Sequence, residues 1–209
     1  MKTIAFVPIK LNNERLKNKN TLLLRGKPLC FFVFEKLLEA GLETYVYCSQ
    51  EEIMNFIPKE VKFLKRNIDL DQNNTKGLEI YKRFSQQITS ESYLLAHATS
   101  PFVKTKTIQI AVSALESFDS AFTALKFQTF GWFNNKPLNY ESNDIPRTQD
   151  IQPIYIETSS IYAFKQEVLN NNNRIGSNPY IIEVDPIEAI DIDVLKDYQM
   201  ACSLQSHLV

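Results

Sequence analysis

Pro8-Ile9-Lys10-Leu11-Asn12-Asn13-Glu14-Arg15-Leu16-Lys17-Asn18-Lys19-Asn20, followed by Gly26-Lys27-Pro28-Leu29, is the most telling part of this chain. The apolar residues 4–7 before it read as a strand. Pro28 after it suits the first turn of a helix, where the missing N–H of proline is no loss. A loop carrying Lys10, Arg15, Lys17 and Lys19 therefore stands where a first strand gives way to its first helix. In an open α/β sheet, ligands sit just beyond the carboxyl ends of the strands. Clustered cations there suit a polyphosphate; the competing reading is a plain solvated basic loop.

Outward from the loop, strands and helices alternate. The helix over about 28–40 is closed by Gly41, a residue that accepts the left-handed conformation common past a helix end. Residues 44–49 read as a second strand, a short helix starts near Glu51, and residues 61–64 form a third strand that runs into Lys65-Arg66. A helix over about 75–88 carries Leu78, Tyr81, Phe84 and Ile88 at helical spacing. Residues 93–96 are a fourth strand, followed by a helix over about 107–117 with Ile108, Ala111, Val112 and Leu115 on one face. This order predicts an α/β fold, a three-layer α/β/α sandwich whose mostly parallel sheet is covered on both faces. After a strand at 120–125 the pattern breaks. Residues 127–156 are aromatic, punctuated by Pro and Asn, and lack helical periodicity, so a segment at about 126–156 reads as an insertion in a single domain spanning 1–209. Strands at 160–164 and 180–184 and a helix over about 195–204 resume the pattern, with Asn170 to Asn173 as a surface turn.

Composition narrows the function. A net charge of −1 argues against a nucleic-acid partner, which calls for a basic excess. No apolar run approaches the length of a membrane span, and Lys10 interrupts the first apolar run before a signal peptide could form. The expected setting is cytoplasmic, with Cys30, Cys48 and Cys202 as reduced, largely buried thiols.

A second constellation is Asp191-Ile192-Asp193. On an extended segment, residues two apart face one side, so both carboxylates point to one place. Two hard oxygen ligands suit Mg²⁺ or another divalent cation, which also takes phosphate oxygens. Against this stands a structural role, because Asp193 precedes the last helix and suits its N-terminal cap. The loop asparagines Asn12 and Asn13 tolerate positive φ and so are expected to turn backbone N–H groups toward phosphate oxygens.

These stretches resemble the nucleotide-sugar cytidylyltransferases, and among them the acylneuraminate (CMP-sialic acid and CMP-nonulosonate) enzymes. Pro8-Ile9-Lys10 is similar to the family's Pro-Ala-Arg, Arg15-Leu16-Lys17-Asn18-Lys19-Asn20 to its Arg-(Ile/Leu)-Pro-x-Lys-Asn, and Gly26-Lys27-Pro28-Leu29 to its Gly-Lys-Pro-Leu. The family's Asp-Ile-Asp matches 191–193. The resemblance implies the nucleotide-diphospho-sugar transferase fold and transfer of CMP from CTP to a nonulosonic, sialic-acid-like sugar, with pyrophosphate released. It implies catalytic roles for Lys19, Arg15, Asp191 and Asp193, the last two holding the metal. It adds nucleotide contacts from Lys10, Asn12, Asn13, Arg66, Thr99 and Ser100. Acceptor contacts fall to His97, which stands where relatives carry glutamine, to Arg147 in a Pro-Arg pair, and to Thr158-Ser159, which replace Asn-Gly. Arginine suits bidentate capture of the acceptor's carboxylate, whereas an ordinary surface ion pair is the plainer role for Arg147. His97 is equally readable as a packed histidine.

Because the departures fall on the acceptor side, a cytidylyltransferase for another small acid, an octulosonic acid or a phosphorylated acceptor is an alternative. A catalytically silent nucleotide- or sugar-binding homologue is a second. The rings Phe127, Phe130, Trp132, Phe133 and Tyr140 suggest a homodimer interface in the insertion, as family members pair there. Completion of the protomer's own core is the competing explanation.

Overall fold

The computed structural model describes residues 1–204. β1 (Thr3–Ile9) leads through the basic loop and a 3-10 turn at Lys19–Thr21 into the small hairpin of β2 (Leu23–Leu24) and β3 (Lys27–Pro28). Then follow α1 (Leu29–Glu39), β4 (Glu43–Cys48), β5 (Lys62–Lys65), α2 (Gly77–Gln87), β6 (Ser92–Ala96) and α3 (Thr105–Ala114). The second half holds β7 (Ser120–Phe127), β8 (Trp132–Phe133), β9 (Lys136–Pro137), β10 (Ile154–Lys165), α4 (Gln166–Asn170), β11 (Pro179–Glu183) and α5 (Leu195–Leu204).

Seven strands make one sheet in the order β11-β7-β10-β6-β1-β4-β5. β10 runs antiparallel to β6 and β7, and the other pairs are parallel. The alternation of side chains along β1 builds both covering layers. Ala5, Val7 and Ile9 pack with Val33, Phe34 and Leu37 of α1 and Ile108 and Ala111 of α3. Ile4 and Phe6 point the other way, into an aromatic layer with Tyr81 and Phe84 of α2, where Phe6 stacks on Phe84 at 4.3 Å. The expected three-layer sandwich is therefore present.

A third apolar cluster positions the site. Leu24 and Leu29 pack against Ile190, Ile192 and Ala201, and Tyr198 on α5 donates its hydroxyl to the Leu23 carbonyl at 2.6 Å. α5 and the segment before it are thereby fastened to the hairpin that follows the basic loop.

Local differences from the expected elements have local causes. The turn near Glu51 is a 3-10 helix, Glu51–Phe56. β10 begins at Ile154 because pairing with β7, from Ile154↔Phe127 onward, imposes extended backbone before any alternation is visible in the sequence. α4 was not expected, since five residues are too few to show a helical period. Beyond Phe127 the insertion is an arm that includes the short antiparallel pair β8 and β9. Its rings do not complete the core. Trp132 is 62% exposed and Phe133 66%, while Phe130 and Trp132 meet Tyr140 edge-on at 5.0 and 6.3 Å.

Candidate active site

The loop after β1 is held by asparagine side chains. Asn20, 5% exposed, donates to the Lys10 carbonyl at 2.9 Å and to Asn13 Oδ1 at 3.4 Å. Lys10 Nζ donates to Asn73 Oδ1 at 3.0 Å, and Asn73 in turn donates to Glu14 at 2.6 Å. The residue that adopts left-handed backbone here is Asn18, at φ 55° and ψ 27°. Asn12 and Asn13 are not among the positive-φ residues, so the expectation of a left-handed pair at those positions is corrected. Asn13 acts through its side-chain oxygen instead. Lys10, Asn12, Asn13, Lys17 and Asn18 line one side of an open cavity of about 610 Å³ beyond the carboxyl ends of β1 and β4.

Asp191 and Asp193 lie on the segment that the third cluster clamps. Ile190 and Ile192 are buried in that cluster, so the two carboxylates take the opposite side, as expected for extended backbone. Asp193 Oδ1 accepts from Lys19 Nζ at 2.7 Å and its Oδ2 from Arg15 at 2.8 Å. Residues from the two ends of the chain thus form one charged cluster. Asp193 does not cap the last helix. Asp197, in the first turn of α5, reaches back so that its Oδ2 accepts from the backbone N–H groups of Asp193 and Val194, both at 2.9 Å, while the Asp193 carboxylate is taken by the cations.

Electrostatics separates the two aspartates. Burial pushes the Asp193 carboxyl upward, but the Lys19 and Arg15 cations outweigh burial and hold it below the usual carboxylate range. Burial, reinforced by the Asp193 charge, pushes Asp191 upward despite an opposing hydrogen bond from Thr99. Asp191 Oδ1 is buried and has no hydrogen-bond partner among the described residues. A carboxylate oxygen left bare beside a second carboxylate fits a hard divalent cation. No cluster of three or more His, Cys, Asp or Glu forms a metal cage among the described residues. Mg²⁺ needs none, because it binds through one or two carboxylates plus substrate oxygens and water.

The end of β6 adjoins this cluster. The Thr99 carbonyl accepts from the Ile192 N–H at 2.9 Å, and Ser100 is fully buried with an unpartnered hydroxyl oxygen. His97 donates its backbone N–H to the Ser160 carbonyl at 3.1 Å, and its ring centroid lies 6.3 Å from that of Tyr162. Burial first, and then the Arg174 and Lys19 cations, lower its pKa from 6.5 to about 4. His97 is therefore a neutral donor and acceptor at ordinary pH. The unfolded chain takes up this proton near pH 6.5 and the folded chain only near pH 4. Stability should be complete above that window and fall as the pH drops through it, by about 1–3 kcal/mol from this group. Denaturant titrations from pH 7 to pH 4 should show a smaller loss for His97→Gln; equal losses would place the ring in solvent.

Arg66 is turned inward. It is 3% exposed, and its guanidinium donates to the Ile9 carbonyl at 2.9 Å and to Asp71 Oδ1 at 3.1 and 2.5 Å. A buried cation with these partners ties β1, β5 and the following turn together, and the expected nucleotide contact is not evident in its geometry. Asp71→Asn should destabilise the fold by about 3–5 kcal/mol, because it strands a buried charge. A denaturation midpoint close to wild type would show that the pair is solvated.

The acceptor-side residues are dispersed. Arg147 lies on the arm, largely exposed, and pairs with Asp150 at 2.6 Å, which is the surface ion pair rather than a member of the charged cluster. The Thr158 hydroxyl is buried and meets Thr123 Oγ1 at 2.7 Å inside a bulge of β10, so it does not open onto the cluster. Ser159 adopts φ 61°, the conformation in which the family's glycine would be at ease. A further arginine was not singled out in the sequence. Arg174 stacks over the Tyr162 ring at 3.9 Å and donates to Glu157 at 3.1 Å, close enough to His97 to affect its charge. An arginine in an asparagine-rich turn gives no local signal of this placement.

The cytidylyltransferase family profile matches residues 4–207. Similar proteins include the Danio rerio N-acylneuraminate cytidylyltransferase A, 26% identical over 94% of this chain and 49% of the relative. The Escherichia coli O18:K1:H7 N-acylneuraminate cytidylyltransferase is 25% identical, over 98% of this chain and 52% of its own length. This chain thus spans about half the length of these relatives. The CMP-N,N'-diacetyllegionaminic acid synthase of Legionella pneumophila is 23% identical over 96% of this chain and 94% of the relative. Among solved structures, a CMP:2-keto-3-deoxy-manno-octonic acid synthetase complexed with CTP superimposes with a TM-score of 0.75 at 15% identity, covering 100% of both chains. With a profile match over nearly its full length, on a fold and a charged cluster of this kind, the chain belongs to the cytidylyltransferase family, and the relatives it resembles include acylneuraminate and other nonulosonate members.

Proposed function

We propose that the chain transfers CMP from CTP to a nonulosonic acid and releases pyrophosphate. The observation that carries this is the meeting of Lys19 and Arg15 with Asp193, beside the bare carboxylate oxygen of Asp191. In the reaction, the acceptor's anomeric hydroxyl loses its proton to solvent and its oxygen bonds to the α-phosphorus, while the bond from that phosphorus to the bridging oxygen of pyrophosphate breaks opposite. Lys19 and Arg15, with Lys10 nearby, hold the triphosphate and offset the charge that gathers on the leaving pyrophosphate. Phosphate oxygens compete with Asp193 for these cations, which frees its carboxylate. Asp191 and Asp193 would hold a divalent ion, Mg²⁺ or a similar one, whose chemistry is to polarise the α-phosphate. Neutral His97 and the Thr99-Ser100 strand end offer hydrogen bonds to the acceptor. Free cysteines among the described residues support a cytoplasmic setting.

Pyrophosphate release should require both CTP and an acceptor. A panel of nonulosonic acids, octulosonic acid and phosphorylated polyols should show the nonulosonic acids preferred, with CTP preferred over UTP and GTP. Release at equal rates with all three nucleotides would defeat the assignment.

The exposed rings of the arm support a homodimer, because aromatic side chains are enriched in interface cores. Arg147 would then reach the partner's acceptor site. Light scattering at low micromolar concentration should give twice the chain mass; a fully active monomer would count against the pairing.

A further inference from the structure

We propose that Gln50 is a nucleoside-binding residue, its side-chain oxygen accepting a hydrogen bond from a donor on the bound nucleotide. The inference rests on the CTP reading above and adds a residue that neither the motif nor the resemblance supplied.

β4 pairs with β1 up to Ile9↔Cys48, so Gln50, two residues past that register, comes to the same carboxyl edge as Lys10. Its backbone is accounted for: the N–H donates to Cys48 Sγ at 3.5 Å, and the carbonyl accepts from the Ile53 N–H at 3.4 Å. Its side-chain Oε1 is buried and has no partner among the described residues. Buried acceptors are almost always paired, so a bare one beside a cavity marks a place for a donor. Donors on neighbouring segments are committed elsewhere: the Ser49 hydroxyl and the Arg66 guanidinium both donate to Asp71.

Gln50, Ile68 and Asp71, from the segments after β4 and β5, line the 610 Å³ cavity together with Lys10, Asn12, Glu14 and Lys17 of the loop after β1. The loop's lysines suit phosphate, whereas the Gln50 side brings no cation, its Asp71 being already paired with Arg66. Ile68, 70% exposed, offers an apolar surface to the face of a base or sugar. A nucleotide laid across the cavity therefore puts its nucleoside against Gln50. The donors proposed there are the ribose 2′-hydroxyl and the exocyclic amine of cytosine.

Titration calorimetry without acceptor tests this directly, comparing the wild type with Gln50→Met, which keeps the length but lacks the oxygen, and Gln50→Glu, which keeps an acceptor. Gln50→Met should weaken CTP binding about tenfold to a hundredfold, as expected for one lost hydrogen bond at a buried acceptor. Gln50→Glu should stay closer to wild type. Repeating the titration with dCTP and UTP identifies the donor. If the ribose 2′-hydroxyl donates, the Met variant costs dCTP nothing; if the amine donates, it costs UTP nothing. Unchanged CTP affinity in Gln50→Met, or the same loss for all three nucleotides, would overturn the assignment. Should the Met variant be unfolded by circular dichroism, wild-type affinity for CTP equal to that for both dCTP and UTP would overturn it too. Absence of CTP binding by the wild type would instead strike at the cytidylyltransferase reading itself.

Discussion

Lys19→Ala should lower turnover by about 10²–10³ while leaving the fold intact. Lys19 is 9% exposed and its ammonium lies 2.7 Å from Asp193, at the mouth of the loop where a triphosphate would sit. Under the proposed reaction, removing it takes a fixed cation from the point where negative charge would develop on the leaving group. The fold should survive because Asp193 keeps Arg15 at 2.8 Å and is not left as an isolated buried charge. Steady-state pyrophosphate release, run beside far-UV circular dichroism, measures both halves of the expectation. A well-folded variant with unchanged turnover would take the loop out of the mechanism.

Asp191→Asn should lower activity by a comparable factor and weaken the dependence on Mg²⁺, yet leave stability unchanged or raised. The carboxylate is held in a place that disfavours its charge, since burial and Asp193 both push it toward protonation and Oδ1 has no donor. An amide of the same shape relieves that strain and abandons the ligand charge, a pattern common where a site is kept at the expense of stability. Asp193→Asn should also lower activity but destabilise, because Lys19 and Arg15 both lose their partner. Denaturation midpoints and activity against Mg²⁺ concentration separate the two variants. Full wild-type activity in excess chelator would reduce the pair to a structural role.

Much of the architecture was legible because two periods dominate the chain. The alternation along β1 and the helical spacing of Tyr81 and Phe84 each survive into the observed layers. That Lys19 and Asp193 serve one site was implied only by the family resemblance; their direct pairing at 2.7 Å comes from the fold. What failed were choices among chemically equivalent residues. Every asparagine in the loop tolerates positive φ, and only the folded turn selects Asn18 over Asn12 and Asn13. Asp193 stands where a helix cap would, but two cations capture its carboxylate, and Asp197 reaches back from the first turn of α5 to its backbone N–H. An arginine at a strand end looks the same whether it faces a ligand or turns inward, and Asp71 with the Ile9 carbonyl turns Arg66 inward. Arg174 and Gln50 depend on contacts between distant segments and have no local signature.

Joining CMP to an acceptor sugar is the act proposed for this cluster. Phosphorus NMR of the chain mixed with CTP, Mg²⁺ and a nonulosonic acid observes the bond itself. The account predicts that the triphosphate resonances give way in equal amounts to pyrophosphate and to a phosphodiester of the CMP-sugar. Triphosphate signals that persist, or pyrophosphate appearing with free CMP and no phosphodiester, would contradict it.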